Sequence, residues 1–327
     1  MLAFDDPAKP LRAKVIYNPA SGPATDGPER LQAIVAELQA LNLLPEVYLV
    51  NPKHELRPVV KDDLRRGHRL FVVCGGDGTI DTVAAALAGT SGVMALIPGG
   101  TQNNVALSLG IPADLHEAAA LLRTGRRTKI DVGLAVCGDV ERPFLEACSI
   151  GLLSALFPAG DDIQHGNLAR LGDFLSTLFS FPGAEMRLSL DGKPPVQFQG
   201  HVILAGNLRF TGPHYPIAPL GSLDDGLLHV MVFADLSKLD LLGTALQLVT
   251  GGPEDERIRR FHARRVEVET NPPMPIVVDG FQLGEGSVRL GVRRRALNVI
   301  AGPLAEQPAM AAADALNPPD APSIAVP

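Results

Sequence analysis

Leu70-Phe71-Val72-Val73-Cys74-Gly75-Gly76-Asp77-Gly78-Thr79-Ile80-Asp81-Thr82 is the stretch that decides the fold. The apolar run Leu70 to Cys74 has the length of a buried strand. It passes directly into Gly75-Gly76-Asp77-Gly78-Thr79, and Val83, Ala84, Leu87 and Ala88 then follow at helical spacing. A strand, a glycine-rich turn and a helix start form the place where α/β proteins hold phosphates. Glycines let the backbone approach a ligand closely, and the unpaired N–H groups of a helix start favour an anion. Asp77 is the odd member. A carboxylate beside a phosphate is repulsive unless a metal or a proton-bearing nucleophile stands between them. The loop therefore points to phosphoryl chemistry and not to phosphate binding alone.

The flanking sequence repeats the theme. Lys14–Tyr17, Glu46–Val50, Leu70–Cys74 and Val93–Ile97 read as strands. Helical patterns lie between them at Glu29 to Leu43, Leu56 to Arg66, Asn103 to Leu109 and Glu117–Arg123. Strands alternating with helices predict a mostly parallel, doubly wound sheet over residues 1–128. Beyond that the pattern changes. Short strand-like runs crowd together at Ile130–Val136, Pro143–Ile150, Glu185–Leu190, Val196–Leu204, Leu227–Phe233, Arg265–Glu269, Pro275–Val278 and Val288–Val292. They predict an antiparallel β-sandwich domain over 129–302, with helical insertions near 166–181 and 235–250. The Ala- and Pro-rich tail at 303–327 has no periodicity and is expected to be disordered.

Composition bounds the function. The chain has 327 residues and 46% hydrophobic content, enough for a sizeable core. Its net charge of −7 argues against nucleic acid as a partner. Cys74, Cys137 and Cys148 are odd in number, lie in apolar runs and lack metal-ligand spacing, as expected of free thiols in a reducing compartment. The N-terminal stretch lacks a signal-peptide core, and no apolar run reaches transmembrane length. The expected location is cytoplasmic, with peripheral attachment to the membrane face left open. The histidines show no paired ligand spacing, so a histidine-based metal site is not expected.

Three turns at the carboxyl ends of predicted strands are ligand-competent: Asn18–Gly22, Gly75–Thr79 and Pro98–Asn104. In a parallel sheet such turns converge on one edge, where ligands bind. Backbone N–H groups and hydroxyls suit phosphate oxygens. Asn18 and Ser21 are equally good turn formers, and that reading stays open beside the binding one.

With these motifs the chain resembles the diacylglycerol kinase and sphingosine kinase superfamily of lipid kinases. The match is Asn18-Pro19-Ala20-Ser21-Gly22, Gly75-Gly76-Asp77-Gly78-Thr79, Gly100-Thr101-Gln102-Asn103 with Ser108-Leu109-Gly110-Ile111-Pro112, and Asp224-Asp225-Gly226-Leu227-Leu228. The motifs run in the family's order from about residue 13 to 301. The resemblance implies an ATP-binding α/β domain, a β-sandwich after it and an active site in the cleft, with MgATP and a membrane-embedded lipid hydroxyl as reactants. By position it implies that Asn18, Pro19, Ala20, Ser21 and Gly22 line the nucleotide site. Gly75, Gly76, Asp77, Gly78, Thr79, Ile80 and Asp81 would wrap the phosphates, and Thr101 would contact them. It also implies Ser222, Asp225 and Leu227 as ligands of a Mg²⁺, since hard oxygen donors suit that ion. Asp-Asp-Gly is as good a turn before a strand, so both readings stand.

The departures from the family bear on catalysis. Relatives often carry Asn-Asp where this chain has Asn103-Asn104. Many bacterial members have Asp-Gly-Glu, with the glutamate as general base, where this chain has Asp279-Gly280-Phe281. Phe281 cannot accept a proton. Three accounts follow: Asp77 takes the role, Glu285 folds back to supply it, or the protein binds nucleotide and lipid without turnover. Asp77 is the favoured base.

The acceptor side is an apolar helical region, Leu152, Leu153, Leu156, Phe157 and then Leu168 to Phe179, which reads as core or as a lipid pocket. Basic runs at 123–127, 257–265 and 293–295 are solvated surface or contacts for anionic head groups. The leading expectation is a Mg²⁺- and ATP-dependent lipid kinase. An NAD kinase, which shares the Gly-Gly-Asp-Gly-Thr loop, and a degenerate nucleotide or lipid sensor are the alternatives.

Overall fold

The computed structural model describes residues 9–303 except 22–26, 157–170, 212–214, 219–222, 235, 242, 244–254 and 256. The tail beyond Pro303, Gly22, Ser222, Phe157, Leu168 and most of the insertion at 235–250 thus lie outside the described residues.

β3 (Leu70–Gly75) is buried at every position, and its side chains alternate between two cores. Phe71 and Val73 join Ile16, Val60, Ile80, Val83 and Leu96 on one face. Leu70, Val72 and Cys74 join Val15, Ile34, Leu38 and Leu122 on the other. A strand covered on both faces by helices must be apolar throughout, which is why it reads as a continuous run. β1 (Leu11–Tyr17), β2 (Leu43–Leu49) and β4 (Val93–Pro98) complete a parallel sheet in the order β2-β1-β3-β4. The helices are α1 (Gly27–Ala40), α2 (Leu56–Arg65), α3 (Asp77–Leu87), α4 (Asn104–Ser108) and α5 (Leu115–Thr124).

Two long strands lead out of this layer. β5 (Arg126–Cys137) pairs antiparallel with β17 (Ser287–Ala301), whose last residues run parallel to β4 through Asn298 and Val299. Both strands start or end in the parallel layer and continue into the second one. There β6 (Val140–Phe144), β7 (Ala147–Gly151), β8 (Ala184–Leu190), β9 (Val196–Gly206), β12 (Leu228–Ala234), β13 (Ile258–Ala263), β14 (Arg265–Asn271), β15 (Pro275–Val278) and β16 (Phe281–Glu285) pair antiparallel, with the two-residue strands β10 (Phe210–Thr211) and β11 (Tyr215–Pro216) beside them. Their inner faces form a separate core around Phe144, Ile150, Met186, Ile203, Val230, Val266 and Leu290. The architecture is the expected one: a doubly wound α/β layer followed by an antiparallel β-sandwich.

Several local expectations change. The run Pro143–Ile150, read as one strand, is broken between β6 and β7. β13 hides in the basic run 257–265, and β16 occupies the segment after Asp279-Gly280. The helical insertion near 166–181 contains α7 (Leu171–Ser180), and a short helix, α6, covers 152–156. Among the described residues, no helix is long and apolar enough to cross a membrane.

Candidate active site

The three predicted turns meet at the carboxyl edge of the parallel sheet. Asn18, at the end of β1, donates its backbone N–H to the Cys74 carbonyl at 2.9 Å and its side-chain amide to Thr79 Oγ1 at 2.8 Å. Its Oδ1 accepts the Ala20 N–H at 3.0 Å and closes the turn that leaves Pro19 and Ala20 exposed. Ser21 Oγ accepts the Gly76 N–H at 3.1 Å. Asn18 and Ser21 thus form a turn, as expected, and a second set of hydrogen bonds ties that turn to the glycine loop.

The loop after β4 packs backbone against backbone on the loop after β3. The Gly99 N–H donates to the Gly75 carbonyl at 3.2 Å. A Cβ at Gly100 would stand 2.6 Å from Gly76 Cα, so only glycine permits this approach. Asn103 closes the second loop by accepting from the Gly100 N–H and donating to its carbonyl, both at 2.8 Å, with its own backbone left-handed at φ 54°. Thr101 is exposed at the loop's tip, and Gly78 is exposed with open space where a side chain would sit. Ile80 follows Thr79 in α3. Its side chain is fully buried in the core and anchors α3.

Acidic side chains gather where this edge meets the sandwich. Asp77, the first residue of α3, accepts the N–H groups of Asn104 and Val105 with its two oxygens, both at 3.2 Å. It thereby holds the start of α4. Asp81, one turn later, is buried, and its Oδ1 has no hydrogen-bond partner. Glu146 sits in the break between β6 and β7. It is buried, and its Oε2 accepts from the Asn104 side chain at 3.0 Å. Asp279 heads the Asp279-Gly280 turn between β15 and β16, where both residues have positive φ (43° and 77°). Its carboxylate accepts three successive N–H groups, those of Leu145, Glu146 and Ala147, at 2.6 to 3.1 Å. Those bonds make the break in the strand. Asn207 steadies the same bend, giving its side-chain N–H to the Leu145 carbonyl and its backbone N–H to the Glu146 carbonyl.

Burial and mutual repulsion make these carboxylates hold protons more strongly than usual. Asp81 is raised well above the ordinary range by burial and then by Asp279, Glu146 and Asp77. Glu146 is raised by burial and then by Asp77 and Asp279, against the hydrogen bonds of Asn104 and Thr211. Asp279 is raised by burial to about 6, although its backbone hydrogen bonds oppose the shift. Arg142 brings a positive charge to them. The Arg142 guanidinium lies over the Phe281 ring at 4.1 Å and favours the charged forms of Asp81 and Asp279.

Glu146, Asp279 and Arg142 were not singled out as site residues by sequence reasoning. A charged residue inside the apolar run Phe144–Ile150 was the available signal, because an unpaired buried glutamate is rare. Glu285, the expected alternative base, is excluded by β16. The segment does not fold back but runs away from Asp279, and Glu285 ends it four residues beyond Phe281, about 13 Å along the strand.

Of the expected Mg²⁺ ligands, Ser222 lies outside the described residues, and the Asp225 carboxylate is engaged within the turn. Asp225 Oδ1 accepts the Leu227 N–H at 2.9 Å, and Oδ2 pairs with His229 at 3.0 Å. Burial pushes this carboxyl up, but the hydrogen bonds of His229 and Leu227 outweigh it and hold it below its usual range. The basic runs are engaged as well: Arg257 with Asp240 and Asp255, Arg293 with Glu141, Arg295 with Asp224, and Arg123 with the carbonyls of Leu41 and Asn42. His68 does join Glu46 and Asp63 in a close group, but Lys14 Nζ reaches both carboxylates there, at 2.8 and 3.2 Å, and makes it an ion-pair hub.

The diacylglycerol kinase catalytic domain family matches residues 12–135, and the YegS C-terminal NAD kinase beta sandwich-like domain family matches residues 162–301. A Pseudomonas aeruginosa protein named "Probable lipid kinase YegS-like" is 31% identical over 281 residues, covering 84% of this chain and 90% of the relative. A Bacillus subtilis protein named diacylglycerol kinase is 28% identical over 278 residues, with 82% and 89% covered. The crystal structure of a Bacillus anthracis diacylglycerol kinase covers 89% of this chain and 97% of its own, at a TM-score of 0.68 and 20% identity, a likeness of fold.

Proposed function

The chain belongs to the family of diacylglycerol kinases and YegS-like lipid kinases and is a lipid kinase, and from that premise we propose that it moves the γ-phosphoryl group of ATP onto a hydroxyl of diacylglycerol or of a sphingoid or ceramide-type lipid. The observation that carries this reading is the acidic group of half-buried Asp77 and Asp279 and buried Asp81 and Glu146 beside the glycine loops of β3 and β4. Phosphoryl transfer needs donors for phosphate oxygens, positive charge to offset theirs and a fixed place for the attacking hydroxyl. The loops supply N–H groups and hydroxyls at the start of α3, where the helix dipole also favours an anion.

Mg²⁺ fits the acidic group. Asp81 has a buried oxygen without a partner, the donors are hard oxygens, and like charges at this spacing are stable only with a cation or a shared proton. Asp81 and Asp77 would hold the ion, Asp77 through lone pairs beyond those its N–H donors use. Bound there, it would supply charge neutralisation at the phosphates. Arg142, flat against Phe281, adds a second positive charge on the same side.

The lipid would be met at a membrane surface. Leu153, Phe179 and Leu239 are exposed apolar residues that flank one buried cluster of α6, α7 and the segment 236–241. Purified protein incubated with labelled ATP and a panel of diacylglycerol, monoacylglycerol, ceramide, sphingosine and NAD tests the reading. A labelled lipid phosphate is expected. Label in NAD alone, or in nothing, would overturn it in favour of a nucleotide kinase or a binding protein.

A further inference from the structure

We infer that Arg142 is a catalytic residue of this kinase, its guanidinium gripping the γ-phosphoryl group of ATP from the sandwich side of the cleft. This rests on the lipid kinase reading above. Arg142 lies on β6, on the same side of the strand as Phe144. Phe144 is buried in the core, while Arg142 is half-buried beside the exposed Phe281. The Arg142 Nε is buried and has no hydrogen-bond partner. Its charge acts on Asp81 and Asp279 through space, and among the described residues it forms no ion pair with either. A guanidinium drawn partly out of water with its donors unspent is costly, which points to a ligand that spends them.

The chain fixes where this guanidinium stands. The Asp279 carboxylate accepts the N–H groups of Leu145, Glu146 and Ala147 and so ties the β15–β16 turn to the end of β6. Phe281, just past that turn, is thereby set against Arg142, with the guanidinium carbon 4.1 Å from the ring centroid. The ring covers a face of the guanidinium and takes none of its N–H groups, which lie in the guanidinium plane. The donors at its edges remain for an anion, and their fork matches phosphoryl oxygens. β6 also packs against α3, whose first residue is Asp77 of the glycine loop. The loops offer donors to the phosphate chain from the α/β layer. Arg142 offers them from the opposite layer, where the chain ends in its γ-phosphoryl group and meets the acceptor.

In this role Arg142 gives up no proton and forms no covalent bond. Its N–H groups donate to the oxygens of the group in transfer, and its charge offsets theirs. ADP lacks that group, so the contact bears on the transfer and hardly on the binding of ADP. The anionic groups of a lipid head group offer a guanidinium the same oxygens, and the kinetics below separate the two sources.

Arg142→Ala tests this against wild type. Labelled ATP is used with whichever of diacylglycerol, monoacylglycerol, ceramide and sphingosine wild type labels fastest, and ADP binding is measured at equilibrium beside it. The expected result is a kcat loss of about 100-fold or more with ADP affinity changed less than about 2-fold. Free guanidinium at a non-denaturing concentration should fill the vacated place and raise the activity of Arg142→Ala at least about 5-fold, without raising that of wild type. Arg142→Lys keeps the charge and loses the fork. It should lose about 10-fold in kcat, and it carries the test if Arg142→Ala does not fold. An Arg142→Ala kcat within about 3-fold of wild type overturns the assignment, and a defect confined to KM for the lipid then gives the guanidinium to the head group. A kcat loss matched by an equal loss of ADP binding, with no rescue by guanidinium, marks a structural role and overturns it as well. If wild type labels no lipid at all, the kinase reading fails first and takes this one with it.

Discussion

Phe281 marks where this chain parts from many of its relatives at the scale of single residues. An aromatic ring at 48% exposure, under a guanidinium, is a platform and not a proton acceptor. Its replacement should leave the chemistry intact. Phe281→Glu is expected to retain kcat within about 3-fold, with the new carboxylate pairing to Arg142 in place of the ring contact, as measured by lipid phosphorylation at saturating ATP. A loss beyond about 100-fold would mean that the ring itself is needed to aim Arg142. The roles of Asp77 and Glu146 were not equally legible. Asp77 stands out locally, because a carboxylate in a glycine turn at a helix start is chemically conspicuous. Glu146 becomes visible only through partners 42 and 133 residues away, Asn104 and Asp279, and no local pattern encodes those distances.

Among the elements, the parallel layer was readable because each strand and helix satisfies its own periodicity. β3 alternates between two cores, and α2 and α5 show apolar faces at helical spacing. The sandwich was harder. The break between β6 and β7 has no glycine or proline at its centre. It is imposed by Asp279 from the far hairpin, so the run Pro143–Ile150 looks like one strand from within. β13 was hidden by its arginines, although its backbone pairs with β12 and Arg260 donates to the Ile217 carbonyl. The two glycine loops are the elements' weakest tolerance. Gly100→Ala places a methyl group against Gly76 Cα and must part the loops. A stability loss of about 1–3 kcal/mol is expected by denaturant unfolding, with nucleotide affinity falling at least about 10-fold. Unchanged affinity would show that the close approach of these loops does not shape the nucleotide site.

At the scale of the whole molecule, Asp77, Asp81, Glu146 and Asp279 gather where the two layers meet. β5 and β17 run through both layers and fix that junction. The buried carboxylates there trade stability for chemistry. Asp81 has a folded pKa raised above its unfolded value near 3.8, so the folded state holds its proton more tightly. The sign follows: its ionisation opposes folding at neutral pH, and the penalty fades as pH falls toward the unfolded value. Asp81→Asn should therefore raise Tm by at least about 2 °C at pH 7.5 without divalent cation, with the difference shrinking on acidification toward pH 4.5. Mg²⁺ should raise the Tm of wild type and leave that of Asp81→Asn nearly unchanged. Scanning fluorimetry across pH, with and without Mg²⁺, reads both effects. A variant less stable than wild type at pH 7.5 would contradict the electrostatic account of the cluster.

That account makes the junction of α3, α4 and the β6–β7 bend the place where phosphoryl transfer happens. Asp77 joins these parts: it begins α3, holds α4 and faces the buried acids. The most direct measurement compares the transfer of labelled phosphate from ATP to lipid by wild type and by Asp77→Asn. Wild type should produce labelled lipid, and Asp77→Asn should fall by about 100-fold or more. Full activity in Asp77→Asn would contradict the placement of the active site at this junction.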